Sequence, residues 1–297
     1  MADDTQIFLR HQPRLKHLAY RMLGSWAEAE EVAQDAWLRW HGSDRDGIDN
    51  TEAWLVSTAT RLSIDRLRAA RTRRAHYEGI WLPEPFLSDD IRTPEQIVDR
   101  SEDVSLAFLS VLERLSPEAR AAYILRDLLD EDYSDIAAVL GKTEAACRQL
   151  VTRARKRVRE DHRHSPVDPA TQARLLQEFS RAASTGDFSA LKAALAADAQ
   201  LIGDGGGKVP SFGKPLEGGT RIAQLYLATS LRYPGRVQYR LARLNGEWGL
   251  LRFVDGALES AQQLQIDGTQ IVRIYAQRNP DKLAHLARTL ESDPGLI

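Results

Sequence analysis

The feature that most constrains this chain is a change of repeat near residue 167. Upstream, glycines are few and apolar residues recur three and four apart, as in Ala29, Val32, Ala33, Ala36, Trp37 and Trp40, the pattern of a buried helix face. Downstream, VQYRLARL, WGLLRFV, ALESAQQLQI and QIVRIYA are extended in character. Asn245-Gly246 and Asp267-Gly268 fall between them, dipeptides suited to tight hairpin turns. Helices first and strands afterwards imply a multidomain chain. The expected divisions are a helical domain over 1–80, a connector over 81–103, a second helical domain over 104–163 and a mixed α+β domain over 167–297.

Capping residues predict where the helices start. Ser25 with Glu28 fits a capping box before a helix over 26–41. Asn50 is a plausible N-cap for a long helix through Trp54, Leu55, Ala59 and Leu62. Ser116-Pro117-Glu118 places a cap, a first-turn proline and an acid in sequence. Ser134 is expected to cap a short helix that Gly141 ends, and Thr143 to cap the next. A short helix, a tight turn with glycine and a second helix make a helix-turn-helix. In its last helix Cys147, Val151, Ala154 and Val158 form the buried stripe.

Positive charge is concentrated although the formal net charge is only -2. RLSIDRLRAARTRR spans 61–74 and RQLVTRARKRVR spans 148–159, and two separated basic helices suggest two contacts with nucleic acid. Around the second cluster, Lys142, Thr143, Glu144, Arg148 and Gln149 are placed to enter a major groove. Thr152 is left on the same polar faces, and Arg153, Arg155, Lys156 and Arg157 can then follow the phosphates. The first cluster has no helix-turn-helix around it. Arg61, Asp65, Arg66, Arg68, Arg71, Arg73 and Arg74 follow a polar loop ending at Asn50, an arrangement suited to holding single strands. The acids Glu28, Glu30, Glu31 and Asp35 suit a protein partner better.

Other classes are disfavoured. The single cysteine, Cys147, excludes an internal disulfide and reads as a small buried hydrophobe. His162 and His164 lie in a polar stretch, so no metal or cofactor is expected. No apolar run approaches membrane-span length and the N-terminus has no signal-peptide pattern, so a cytoplasmic location without membrane contact is expected. The connector is acidic from Glu84 to Asp103 with prolines at 83, 85 and 94, which argues against a continuous helix. It reads either as a solvated tether or as a mimic of nucleic acid inside a partner's basic channel.

The last block is expected to hold helices at 170–184, 187–197 and 219–231 before its meander, an α+β cone of the NTF2-like, SnoaL-like class. The glycines in DGGGK, Asp204 to Lys208, allow close backbone approach, and a bulge or turn at a strand start is at least as good a reading as ligand contact. The segment lacks the spacing of a phosphate-binding loop. Asp204, Asp255, Tyr226, Tyr239 and Tyr275 offer acid and phenol groups, yet nothing in their spacing marks a catalytic pair. No enzyme activity is expected.

The chain resembles the extracytoplasmic-function (ECF) sigma factors of bacterial RNA polymerase. WAEAEEVAQDAWLRW is similar to region 2.2, AWLVSTATRLSIDRLRAARTRR to regions 2.3 and 2.4, and LERLSPEARAAYILRDLLDEDYSDIAAVLGKTEAACRQLVTRARKRVR to region 4. The resemblance implies core-polymerase binding through Glu28, Glu31, Gln34 and Asp35. It also implies −10 contacts from Asn50, Arg61, Asp65, Arg66, Arg68 and Arg71, and reading of the −35 duplex by the helix-turn-helix. The connector is then similar to the sigma segment threaded through polymerase's nucleic-acid channel. WLPEP (Trp81, Leu82, Pro83, Glu84, Pro85), DGGGK (Asp204, Gly205, Gly206, Gly207, Lys208) and NPDKL (Asn279, Pro280, Asp281, Lys282, Leu283) match the type with a fused SnoaL-like domain, the ECF41 or SigJ-like type. The three motifs are expected to meet, with Trp81 as an apolar anchor and Asn279 capping a short helix. Regulation in cis without a separate anti-sigma protein follows, and the cone is left open to an unidentified small-molecule ligand. The competing readings are a one-component DNA-binding regulator with a ligand-sensing domain, which leaves residues 5–80 unexplained, and a SnoaL-like domain with isomerase- or cyclase-type activity.

Overall fold

Helix starts follow the caps that the sequence offers. In the computed structural model, which describes residues 4–44, 47–74, 76–88, 104–161 and 167–292, the chain forms two compact units. Met1–His76 and Leu109–Asp161 make the first, Tyr77–Phe108 and His162–Ile297 the second.

The first unit opens with α1 (Asp4–Leu23), α2 (Trp26–His41) and α3 (Thr51–Arg74), which pack on one another. Ser25 Oγ accepts the Glu28 N–H at 3.2 Å and Asn50 Oδ1 the Ala53 N–H at 3.1 Å, each satisfying a donor left open at a helix start. The predicted stripe of α2 is buried at Ala29, Val32, Ala33, Ala36 and Trp40. Trp37 is only partly covered and lies against Phe8 and His41. α4 (Leu106–Leu112) leads into α5 (Pro117–Tyr123), capped by Ser116, and α5 continues as a π-helical turn over Ile124–Leu128. α6 (Tyr133–Leu140) and α7 (Glu144–Asp161) form the helix-turn-helix, joined at Gly141, whose φ of 61° is left-handed. The cap of α6 is Asp132 rather than Ser134. The Ile136 N–H bonds to Asp132 O at 3.0 Å, so Ser134 already lies inside the first turn. Thr143 caps α7, accepting from Ala146 N at 3.2 Å, and Cys147, Val151, Ala154 and Val158 are buried as the spacing predicts.

The second unit carries α8 (Pro169–Thr185) and α9 (Phe188–Ala194), followed by β1 (Leu195–Asp204) and β2 (Leu216–Glu217). Then come α10 (Gly219–Arg232), β3 (Val237–Leu244), β4 (Glu247–Val254), β5 (Ala257–Asp267), β6 (Gln270–Gln277) and α11 (Pro280–Ser292). The sheet order is β2-β1-β6-β5-β4-β3, with only β1 and β6 parallel. The expected helix over 187–197 ends at Ala194, and Leu195 already begins a strand. The alanine-rich LAADAQLIGD favours a helix locally. Parallel pairing with β6 and burial of Leu195, Ala199 and Leu201 in the core override that preference. DGGGK therefore ends a strand instead of starting one. A third hairpin, unread in the sequence, turns at Asp255-Gly256, where both φ angles are positive.

One face of the sheet packs Leu250, Leu264 and Ile274 against Phe179, Leu191, Ile222 and Tyr226 of α8 to α10. The other meets α11 through Leu283 and Leu286, with Leu87 in the same cluster, while Leu82, Leu106 and Ala107 pack around Tyr275. Leu82 and Leu87, from the expected connector, thus supply part of the sheet's cover. Most of the acidic run, Asp89 to Asp103, and His162 and His164 lie outside the described residues.

Candidate nucleic-acid interfaces and the connector site

Along α7 and the two residues before it, the expected duplex readers lie away from the buried stripe. Lys142, Thr143, Glu144, Arg148, Gln149, Thr152, Arg153, Arg155 and Lys156 are all exposed. Their engagement differs. Arg155 grips Asp127, with Nε 3.0 Å from each carboxylate oxygen. Arg148 bonds Glu144 at 2.7 Å and covers the Tyr133 ring at 4.9 Å. Lys156 is 3.9 Å from Glu160. Arg153 and Arg157 are exposed and have no acidic partner among the described residues.

The first cluster is engaged throughout most of its length. Arg61 donates to the carbonyls of Val139 (3.1 Å) and Ala138 (2.9 Å) at the end of α6. Arg66 holds Glu31 and, at 2.7 Å, Asp35, so residues expected at the −10 element and at core polymerase are paired with each other. Arg68 binds Glu118 at 2.6 Å and reaches Asp65 at 3.4 Å. The Arg68 hydrogen bond and charge hold the Glu118 carboxyl below its usual range. Arg74 binds Glu113 and the Leu23 carbonyl. Arg71 is exposed, Asn50 is exposed and serves as a cap, Gln34 is exposed and Glu28 is half-buried. Sequence reasoning missed Leu38, which is 60% exposed on α2 beside these acids.

The three short motifs meet inside the second unit. Asp204, fully buried, accepts at Oδ2 from Leu82 N (2.8 Å), Lys282 Nζ (2.7 Å) and Gln277 Nε2 (3.2 Å). Its Oδ1 accepts from Tyr77 OH (2.6 Å) and Gly206 N (3.0 Å). Lys282 Nζ also donates to Leu82 O at 2.7 Å and stands 4.0 Å over the Trp81 ring and 4.9 Å over that of Tyr77. Trp81 is thus a cation acceptor, not simply an apolar anchor. Gln277 donates to Leu82 O and Pro83 O at 3.2 and 3.1 Å, while Pro83 and Pro85 are buried and Glu84 is half-buried. Burial, then the Asp204 carboxylate, pushes the Tyr77 phenol well above its ordinary range.

The glycines make this approach feasible. Gly206 and Gly207 have φ of 60° and 69°, and a Cβ on Gly206 would lie 2.2 Å from Asn279 Nδ2. One on Gly205 would lie 2.2 Å from Val209 O. Lys208 pairs with Asp281 across the surface at 2.6 Å. Asn279 Oδ1 accepts from Asp281 N at 3.1 Å, Pro280 opens α11 and Leu283 is buried.

A second tie was not legible as a motif. Asn245, buried with φ of 51°, accepts at Oδ1 from Phe86 N (3.2 Å) and donates through Nδ2 to Val104 O (2.9 Å). One side chain of the β3–β4 turn therefore holds the connector on both sides of its acidic run. Leu106 N adds a 2.6 Å bond to Gln263 Oε1.

The acid and phenol candidates do not converge. Asp204 is committed to the connector, and Asp255 lies in an exposed turn with Arg236, 2.6 Å from its Nε. Tyr275 OH accepts from Arg273 at 3.2 Å. Tyr226 OH donates to Gln262 at 2.8 Å, and burial raises both Tyr226 and Tyr239. Tyr226 and Gln262 help to line a cavity of about 450 Å³ that also contains Glu259. Burial pushes the Glu259 carboxyl up, but Arg252 and Arg278, whose Nε atoms lie 2.6 and 2.7 Å away, outweigh it and hold the group below the usual range. Among the described residues no cluster of three or more His, Cys, Asp or Glu could hold a metal ion, and no helix is long and apolar enough to cross a membrane.

The Sigma-70 region 2 family model matches residues 7–73 and the Sigma-70, region 4 model residues 105–158. The chain is 36% identical to the ECF RNA polymerase sigma factor SigJ of Mycobacterium tuberculosis, covering 90% of this chain and 89% of that one. It is 29% identical to a probable ECF RNA polymerase sigma factor, SigI, of the same species over 94% of each chain. The crystal structure of M. tuberculosis SigJ matches with a TM-score of 0.75 and 32% identity, covering 95% of this chain and 98% of that one.

Proposed function

Because the chain belongs to the ECF sigma factors of RNA polymerase, we propose that its second unit regulates it in cis by clamping the connector between the two sigma regions. As a member of that family it binds core polymerase and directs promoter-specific initiation. Regulation is the further step, carried by one observation. The buried Asp204–Lys282 pair takes both its N–H and its C=O partners from Leu82 of WLPEP.

In this reading α7 reads the −35 duplex through Lys142, Thr143, Glu144, Arg148, Gln149 and Thr152, with Arg153, Arg155 and Lys156 along the phosphates. The α3 arginines and Asn50 serve the −10 element, and Glu28, Glu31, Gln34 and Asp35 face core polymerase. Promoter and polymerase then compete with the internal partners of Arg66, Arg68 and Arg61. A connector held on the sheet is kept from polymerase's channel, so opening the clamp favours initiation. The chain carries its own regulator and needs no separate anti-sigma protein.

Proton-transfer chemistry in the cone is disfavoured by its own charges. A carboxylate shared between two guanidiniums is a weak general base, and phenols raised by burial stay protonated near neutral pH. Transcription with purified core polymerase tests the proposal. The full chain should initiate at its own promoters, and ending it at Pro166 should change initiation or core affinity. Sequence-specific duplex binding without initiation would favour a one-component regulator. Unchanged initiation and core affinity after truncation would refute control in cis.

A further inference from the structure

The cone cavity carries more positive than negative charge. Its wall holds three guanidiniums, Arg232, Arg252 and Arg278, and Glu259 is the one carboxylate that lines it. Arg252 and Arg278 share Glu259, whereas Arg232 stacks on Tyr233 at 5.5 Å and has no acidic partner among the described residues. The rest of the lining is largely apolar, including Leu201, Leu225, Val254 and Ala276, with Phe212 left 38% exposed. At about 450 Å³ the space falls in the range of small-molecule sites, about 300–1,000 Å³. Surplus cations beside apolar walls suit one chemistry, a negative head on an apolar body.

We propose that this cavity binds an amphipathic organic carboxylate, its apolar body along Leu201, Leu225 and Ala276 and its head toward the arginines. Arg278 links the cavity to the connector clamp. Its backbone N–H donates to Asp204 O at 2.8 Å, while its guanidinium holds Glu259 and the Pro210 carbonyl. A ligand head that draws on Arg278 therefore pulls directly behind the clamp.

Decanoate, decanol and decylamine, titrated into the full-length chain by calorimetry below their aggregation limits, separate charge from apolar fit. Decanoate should bind at least tenfold tighter than decanol, with decylamine weakest. Arg232→Met should weaken decanoate about tenfold without weakening decanol, since Arg232 is exposed and, among the described residues, its guanidinium has no partner beyond the Tyr233 ring. Glu259→Gln, which enlarges the positive surplus, should strengthen decanoate binding. Thr229→Trp, at the cavity wall, should abolish binding of both acid and alcohol while thermal unfolding confirms a folded chain. Equal affinity for acid and alcohol, binding that survives Thr229→Trp, or no binding of any probe to the unaltered chain would each overturn the assignment. The measurement needs no polymerase, so its failure and that of control in cis are separately visible.

Discussion

The Arg66 and Arg68 ion pairs of the first unit and the Asp204 pair of the second differ in kind. In the first, Arg66 and Arg68 meet their acids where Glu31, Asp35 and Arg68 are 62%, 43% and 58% exposed, and such pairs contribute little to stability. In the second, Asp204 is fully buried and its Lys282 partner is 10% exposed at the side chain. Exposed pairs exchange cheaply for phosphates or a protein partner, while a buried pair holds until something displaces it as a whole. The Arg66 and Arg68 pairs are therefore suited to trade contacts and the Asp204–Lys282 pair to be retained.

The largest effect should come from breaking the retained contact. Asp204→Ala removes the carboxylate from Lys282 and from the Leu82 N–H in the interior, and loss of one partner of a buried pair costs about 3–5 kcal/mol. Denaturant unfolding should show that loss in the second unit. Asn245→Gly is more selective. Glycine keeps the positive φ of the turn but removes the side-chain bonds to the Phe86 N–H and the Val104 carbonyl, each worth about 1–3 kcal/mol if its backbone partner is left buried. Hydrogen exchange should rise at Phe86 while the β3–β4 hairpin stays protected.

The trading contacts should rank by how engaged they are. Arg153→Ala should lower −35 duplex affinity and reduce the slope of log affinity against log salt by about 1. Arg155→Ala should change both less, because Arg155 must first leave Asp127. Smallest is a pH effect. The folded pKa of Glu259 lies below its unfolded value, so the stability it provides is present above the ordinary carboxylate range, about 4.3. That stability is lost as pH falls through the depressed value. Glu259→Gln should flatten the acid limb of the second unit's unfolding profile, and an unchanged limb would place acid sensitivity elsewhere.

Much of this was legible because local and tertiary signals agreed. Ser25, Asn50, Ser116 and Thr143 cap the helices that their sequence positions predict, and the Cys147 stripe is buried. What failed did so where the two conflict. Alanine-rich β1 reads as helix until β6 pairs with it, and Asp132 takes the N-cap position expected of Ser134 without a side-chain bond to the helix start. WLPEP, DGGGK and NPDKL could be matched as motifs, yet their shared chemistry was hidden. Asp204 looked like a flanking charge, and Tyr77, Gln277 and Asn245 carry no local signal of the partners they meet about 120 to 200 residues away. The internal engagement of the first arginine cluster was equally invisible, since Glu118 and the α6 carbonyls are remote in sequence.

The central claim is that the clamp on Leu82 restrains initiation, and Lys282→Met tests it most directly. Methionine keeps an apolar stem between Trp81 and Tyr77 but removes the cation that joins Asp204 to Leu82. With purified core polymerase and a promoter that the unaltered chain uses, the account predicts severalfold more initiation from Lys282→Met. Equal initiation from the two chains, with hydrogen exchange showing the connector released in the variant, would contradict it.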